Sequence, residues 1–333
     1  MKKVFPHKKT IIIYILSFLI PAFMMIAIYA SLGITYGGKV TVLGFDLKAQ
    51  YAPFIAGLRY LLEDPGKILF NWNASMGGNY IGIFAYYLAS PLNLITLFWK
   101  VEDIADAMYV LIILKIALCG LTFNTFLHKR HPERKISYYN LLFSACYALM
   151  SYNMAYGMCV MWLDAIILFP IVLLGVEKIL AGKKGGLFFI SMTLTFITNY
   201  YISYMVGIFV FLYFLSGIIV QINKNNFKYY IGRAICFFIN TLLGLGISMP
   251  LILPSILNLK FRYISGETVQ INKELAYEFQ PFQLLRKFLP SQYDTMYSEH
   301  GNPYVFCGTL FFILTILYFF KKDIVKEKLY HYF

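Results

Sequence analysis

This sequence has little charge to spread over a water-facing surface. Asp, Glu, Lys and Arg make up 14% of its 333 residues, against 59% hydrophobic residues and 19% aromatics. A soluble globule of this size would be short of polar surface, which excludes that class and places the chain in a bilayer. Paired cysteines are missing too. Cys119, Cys146, Cys159, Cys236 and Cys307 stand singly, mostly inside apolar runs, with no CxxC and no histidine at ligand spacing, so they read as buried thiols packing as small hydrophobes. There is no P-loop, no GxGxxG after a strand, no HExxH, no GxSxG and no internal repeat, so ATP-driven transport, zinc hydrolysis and serine hydrolysis have no anchor.

What the chain does have is apolar helix. Lys2, Lys3, Lys8 and Lys9 precede an apolar run from Ile11 to Leu32, about 22 residues with no small-residue cleavage site, which reads as a retained first span. Further spans are expected over Ile104–Leu127, Ile136–Tyr156, Trp162–Leu180, Leu187–Thr198, Tyr201–Val220, Ile231–Leu253 and Tyr304–Phe320, the fifth being short. The fold expected is therefore an all-α polytopic membrane bundle of about eight transmembrane helices, forming a single membrane domain over residues 1–333.

The charges support that count. With a cytoplasmic N-terminus, the inner segments hold 18 of the 29 basic residues, and every inner loop is basic, as the positive-inside rule requires. The net charge of +13 is thus a topology signal and gives no reason to expect a nucleic-acid partner. Two long exterior segments result, about 33–103 and 258–303. The first contains Gly44 to Pro91, a polar stretch too long for an ordinary connection and too aromatic for disorder, carrying Asp46, Lys48, Gln50, Tyr51, Arg59, Glu63 and Asp64. Within the same segment Ile81 to Trp99 is apolar but interrupted by Ser90, Pro91 and Asn93, and reads as a re-entrant or interfacial element.

GFDLKAQYAPF, LLEDPGKILFNWNASMGGNYIGIFAYYLASPLNLI, LKIALCGLTF and MWLDAIILFPIVLLGVEKI, in that order, resemble the N-terminal part of the YfhO family of bacterial membrane proteins. The resemblance implies a GT-C-like glycosyltransferase in the plasma membrane. Such an enzyme takes sugar from a polyprenyl-phosphate carrier on the outer face and gives it to an envelope glycopolymer such as teichoic acid, with membrane partner proteins as further contacts. Family members are typically longer than this chain, so an N-terminal membrane half is expected. GT-C enzymes in general carry an acid in the first exterior loop, and Asp46 matches that position as a general base. Its bland alternative is a helix N-cap.

Asp164, in WLD at the outer start of the fourth span, is the second candidate carboxylate, although an acid there is also expected from the helix dipole. No DxD pair lies near either acid, so neither a metal nor any other cofactor is implied. Lys48, Gln50, Tyr51, Arg59, Lys260 and Arg262 are candidate substrate contacts, the cations holding phosphate, with solvated or headgroup-facing roles as their alternative. Lys115 lies about eleven residues into the second span, near mid-bilayer, where an ammonium calls for a carboxylate or a lipid phosphate. Removing that charge, as in Lys115→Met, is expected to leave insertion intact or improve it, and to lower activity where the ammonium contacts a carboxylate or phosphate. The alternative function is a transporter or flippase of a lipid-linked envelope precursor, which would line a path through the membrane with ionisable groups.

Overall fold

A computed structural model describes residues 8–72, 77–130, 136–222, 226–264, 283–289 and 308–320. The described residues form a helical bundle, with one isolated antiparallel bridge between Asn71 and Gly78. Five helices are long and apolar enough to cross a bilayer: α1 (Lys8–Ser31), α4 (Ile104–Arg130), α7 (Val160–Leu180), α9 (Tyr200–Gln221) and α10 (Phe227–Ile264). A sixth results if the bent pair Ile81–Leu88 and Pro91–Phe98 is taken as one unit. The chain is a multi-pass membrane protein.

The remaining expected spans take other forms. Residues 136–156 divide into α5 (Tyr138–Ala148) and α6 (Ser151–Tyr156), with Met150 extended between them. The Asn153 amide donates to the Ala148 and Tyr147 carbonyls, satisfying acceptors that a continuing helix would have used. α8 (Gly186–Thr198) has 13 residues, and α12 (Thr309–Phe320) begins after residues outside those described. α10 runs past its expected end through Pro250 and Pro254, which membrane helices tolerate. Lys260 and Arg262 therefore fall on a helix and not in an exterior loop, and their side chains lie outside those described.

α4 and α7 form the centre. Two close approaches set their neighbours. A Cβ at Gly120 of α4 would lie 2.4 Å from the Ser17 carbonyl oxygen of α1, and one at Gly175 of α7 would lie 2.6 Å from Phe188 Cα of α8. Only glycine admits backbones this close, the usual device where no hydrophobic force drives helices together in lipid.

The exterior segment folds over this centre. α2 (Ala52–Glu63) buries Ala52, Ile55, Ala56, Leu58 and Leu61 and exposes Tyr60, Leu62 and Glu63. The bent pair turns by 86° at Ala89 and Ser90. Ser90 caps its second leg by accepting from the Leu92 N–H, while the Asn93 amide donates to the Tyr87 carbonyl across the bend. Both ends of the pair meet α2. Phe54 packs edge-on against Tyr80 before the first leg, and the Arg59 guanidinium donates to the Thr96 and Trp99 carbonyls at the end of the second. The bend itself reaches Lys115, 11 residues past Ile104 and so about 16 Å along α4. Both legs thus fold back toward α2, the hairpin shape expected of a re-entrant element, with its bend at Lys115.

Candidate functional site

Three polar side chains meet at the re-entrant bend, far from any other charge on α4. Lys115 is completely buried, Ser90 is 2% exposed and Asp164 is 3% exposed. The Lys115 ammonium lies 2.6 Å from Asp164 Oδ2 and also donates to the Val160 carbonyl at 2.9 Å and to Ser90 Oγ at 3.4 Å. Ser90 Oγ donates in turn to Asp164 Oδ1 at 2.8 Å. All three ammonium protons and both carboxylate oxygens are thus occupied, which is how a buried ion pair meets its desolvation cost. The carboxylate partner expected for Lys115 is Asp164 itself.

Asp46 sits differently. Phe45 before it has a positive φ of 46°, a conformation that is uncommon for a bulky residue, and Asp46 then occupies the N-cap position of the turn Leu47–Tyr51. Its carboxylate makes no capping bond to that turn. The capping alternative weighed against a chemical role therefore finds no hydrogen bond here. Its contact is the Tyr51 hydroxyl, which donates to Oδ2 at 3.4 Å. Burial above all, and then Cys159, push the Tyr51 phenol well up, so it remains a proton donor. Leu47 and Tyr51 are buried, while Lys48 and Gln50 are exposed. Gln50 Oε1 accepts from the Tyr87 hydroxyl at 3.4 Å.

Around Tyr51 gathers a cluster of rings. Tyr87 lies 5.5 Å from Tyr51, Tyr86 4.6 Å from Tyr87 and Tyr200 5.8 Å from Tyr86, centroid to centroid. Trp162, 6.2 Å from the Tyr201 ring, donates its indole N–H to the Tyr86 hydroxyl at 3.2 Å. Asn199 fixes both partners, capping α9 through Ile202 N–H while its amide donates to the Tyr86 carbonyl. Asp46 and Asp164 are joined only indirectly. The Tyr51 hydroxyl that meets Asp46 lies 3.9 Å from Cys159 Sγ, and Cys159 immediately precedes α7.

Of the sequence candidates, the structure gathers Asp46, Gln50 and Tyr51 near one ring cluster, and Lys115 with Asp164 in a separate buried contact. Arg59 is engaged with carbonyls of the re-entrant segment. Ser90, Tyr86, Tyr87, Trp162 and Asn199 were not among the candidates. The sequence feature that points toward them is the break at Ser90.

Beside the cluster, an apolar cavity of about 660 Å³ opens between α8, α9 and α10. Phe196, Tyr200, Phe211, Phe238 and Leu245 line it, so Tyr200 borders both spaces. Among the described residues, no three His, Cys, Asp or Glu side chains come together in a group able to hold a metal.

Residues 17–333 match the family model described as bacterial membrane protein YfhO. The chain belongs to the YfhO family. A Bacillus subtilis (strain 168) protein named "Uncharacterized protein YfhO" is 23% identical over 208 residues, covering 57% of this chain and 23% of that protein. The present chain thus spans about a quarter of that relative's length. No solved structure matches.

Proposed function

We propose that this YfhO-family chain is membrane machinery of a glycosyltransferase that moves sugar from a polyprenyl-phosphate carrier to an exterior envelope polymer such as a teichoic acid. The observation that carries the reading is the state of Asp46, a carboxylate at a helix start that no backbone N–H consumes and that faces a ring cluster. In the reaction the acceptor oxygen attacks the anomeric carbon, the bond from that carbon to the carrier phosphate breaks, and the acceptor proton goes to Asp46. Tyr86 and Tyr87, half-buried, offer apolar faces for a sugar ring, with the buried Tyr51 backing Tyr87, and Gln50 and Lys48 offer polar groups beside it. The cavity bordered by Tyr200 gives an isoprenoid chain an apolar berth next to the sugar.

The buried Lys115–Asp164 pair and the re-entrant bend favour a second reading, translocation of the lipid-linked sugar. Against it, the pair is buried and fully partnered, and the next ion pair along the same two helices among the described residues, Arg130–Glu177, stands 13 residues further along α7, about 20 Å away. Proteoliposomes of the full-length protein separate the two. Radiolabelled sugar should pass from a polyprenyl-phosphate donor to teichoic acid on the exposed face, whereas translocation of a fluorescent lipid-linked sugar without transfer would overturn the enzyme reading.

The site must also face outward in the bacterial plasma membrane, with the N-terminus inside, as the basic residues suggest. In a cysteine-free background, Lys67→Cys should react with an impermeant thiol reagent in intact cells and Lys184→Cys should not. The reverse pattern would place Asp46 on the wrong side.

A further inference from the structure

We infer that Ser90, Asp164 and Lys115 form a positioning unit that sets the depth and register of the re-entrant bend, and through it the placement of Tyr86 and Tyr87 beside Asp46. The functional part of this inference rests on the glycosyltransferase reading. The geometric part stands alone.

Apolar packing lets a hairpin slide, because dispersion contacts at neighbouring registers are nearly equal. A hydroxyl held between an ammonium and a carboxylate does not, since a displacement of one residue loses both hydrogen bonds in a site that water does not reach. Ser90 is the one residue of the bend that joins this pair, at 2.8 Å to Asp164 and 3.4 Å to Lys115. Asp164 stands two residues after Trp162 on α7, so the helix that anchors the bend also carries the indole that bonds Tyr86. The polar contacts of the first leg repeat the pattern. Asn93 holds the Tyr87 carbonyl and Asn199 holds the Tyr86 carbonyl. Tyr87 then packs on Tyr51, whose hydroxyl reaches Asp46. A shift of the bend is therefore transmitted to the wall of the proposed sugar site without touching Asp46.

The test uses Ser90, because its removal leaves the ion pair intact. With Trp72 and Trp99 replaced by phenylalanine, Trp162 is the sole remaining tryptophan of the three. Its emission and its quenching by acrylamide report the indole bond to Tyr86. Ser90→Ala should shift the emission and raise quenching, and Ser90→Thr, which keeps the hydroxyl, should restore both. Where Ser90→Ala does not fold, Ser90→Cys, a weaker donor, should fall between wild type and loss. In the transfer assay, Ser90→Ala should lower kcat/KM by about 10- to 100-fold, chiefly through KM, as expected for misplaced substrate contacts. Unchanged Trp162 emission and quenching in Ser90→Ala and Ser90→Cys would overturn the inference. Altered fluorescence in the Ser90 variants, with no sugar transfer by the protein that keeps Ser90, would uphold the positioning unit and sink the enzyme reading instead.

Discussion

Asp46→Asn should reduce sugar transfer by about 10² to 10⁴-fold while leaving the protein at normal abundance in the membrane. The substitution is nearly isosteric, and asparagine caps helices as well as aspartate does. Even that equivalence is hardly needed, because the Asp46 side chain makes no cap bond to lose. The Tyr51 hydroxyl can still donate to the amide oxygen that replaces Oδ2. What the amide cannot do is take a proton from an attacking hydroxyl. The measurement is glycosylation of the exterior polymer in cells carrying the full-length protein, with membrane abundance followed in parallel. Normal abundance with normal glycosylation would remove Asp46 as the base and move the translocation reading ahead.

Much of the bundle was legible in the sequence because membrane spans announce themselves locally. Continuous apolar runs gave α1, α4, α7 and α9 to within a few residues. What failed to show was set by contacts distant in sequence or by single polar residues. The break between α5 and α6 depends on one amide, that of Asn153, bonding backward, and such a bond leaves no periodic trace. The passage of α10 through two prolines depends on how its neighbours satisfy the backbone, which no local pattern encodes.

The site divides in the same way. Lys115 stood out as a charge at mid-depth and Asp164 as an acid at a helix start, each from its own segment. That the two are partners across 49 positions, with Ser90 between them from a third segment, is a product of α4 and α7 packing. The ring cluster is less visible still. In a chain with 28 tyrosines, those of the interface belt and those of the cluster look alike until Trp162 and Asn199 single out Tyr86.

That partnership reverses the expectation for Lys115. From the sequence, replacing the ammonium with a methionine should have eased insertion by removing a charge from the bilayer. With Asp164 2.6 Å away and only 3% exposed, Lys115→Met instead strands a carboxylate in a dry interior. Breaking a buried pair from one side typically costs about 3–5 kcal/mol, since the remaining charge keeps its desolvation penalty and loses its attraction. A loss of that size exceeds a third of the stability of many proteins. Lys115→Met should therefore fall sharply in thermal stability in detergent and in membrane abundance. The double variant Lys115→Met/Asp164→Leu should recover most of the loss, because two apolar groups of similar volume leave no uncompensated charge. Its recovered fold should nevertheless keep the transfer defect of Ser90→Ala, since the serine then has neither an ammonium nor a carboxylate to hold. Full stability in Lys115→Met alone, or a double variant as unstable as the single, would show that the two charges are not coupled and that the bend is held by packing.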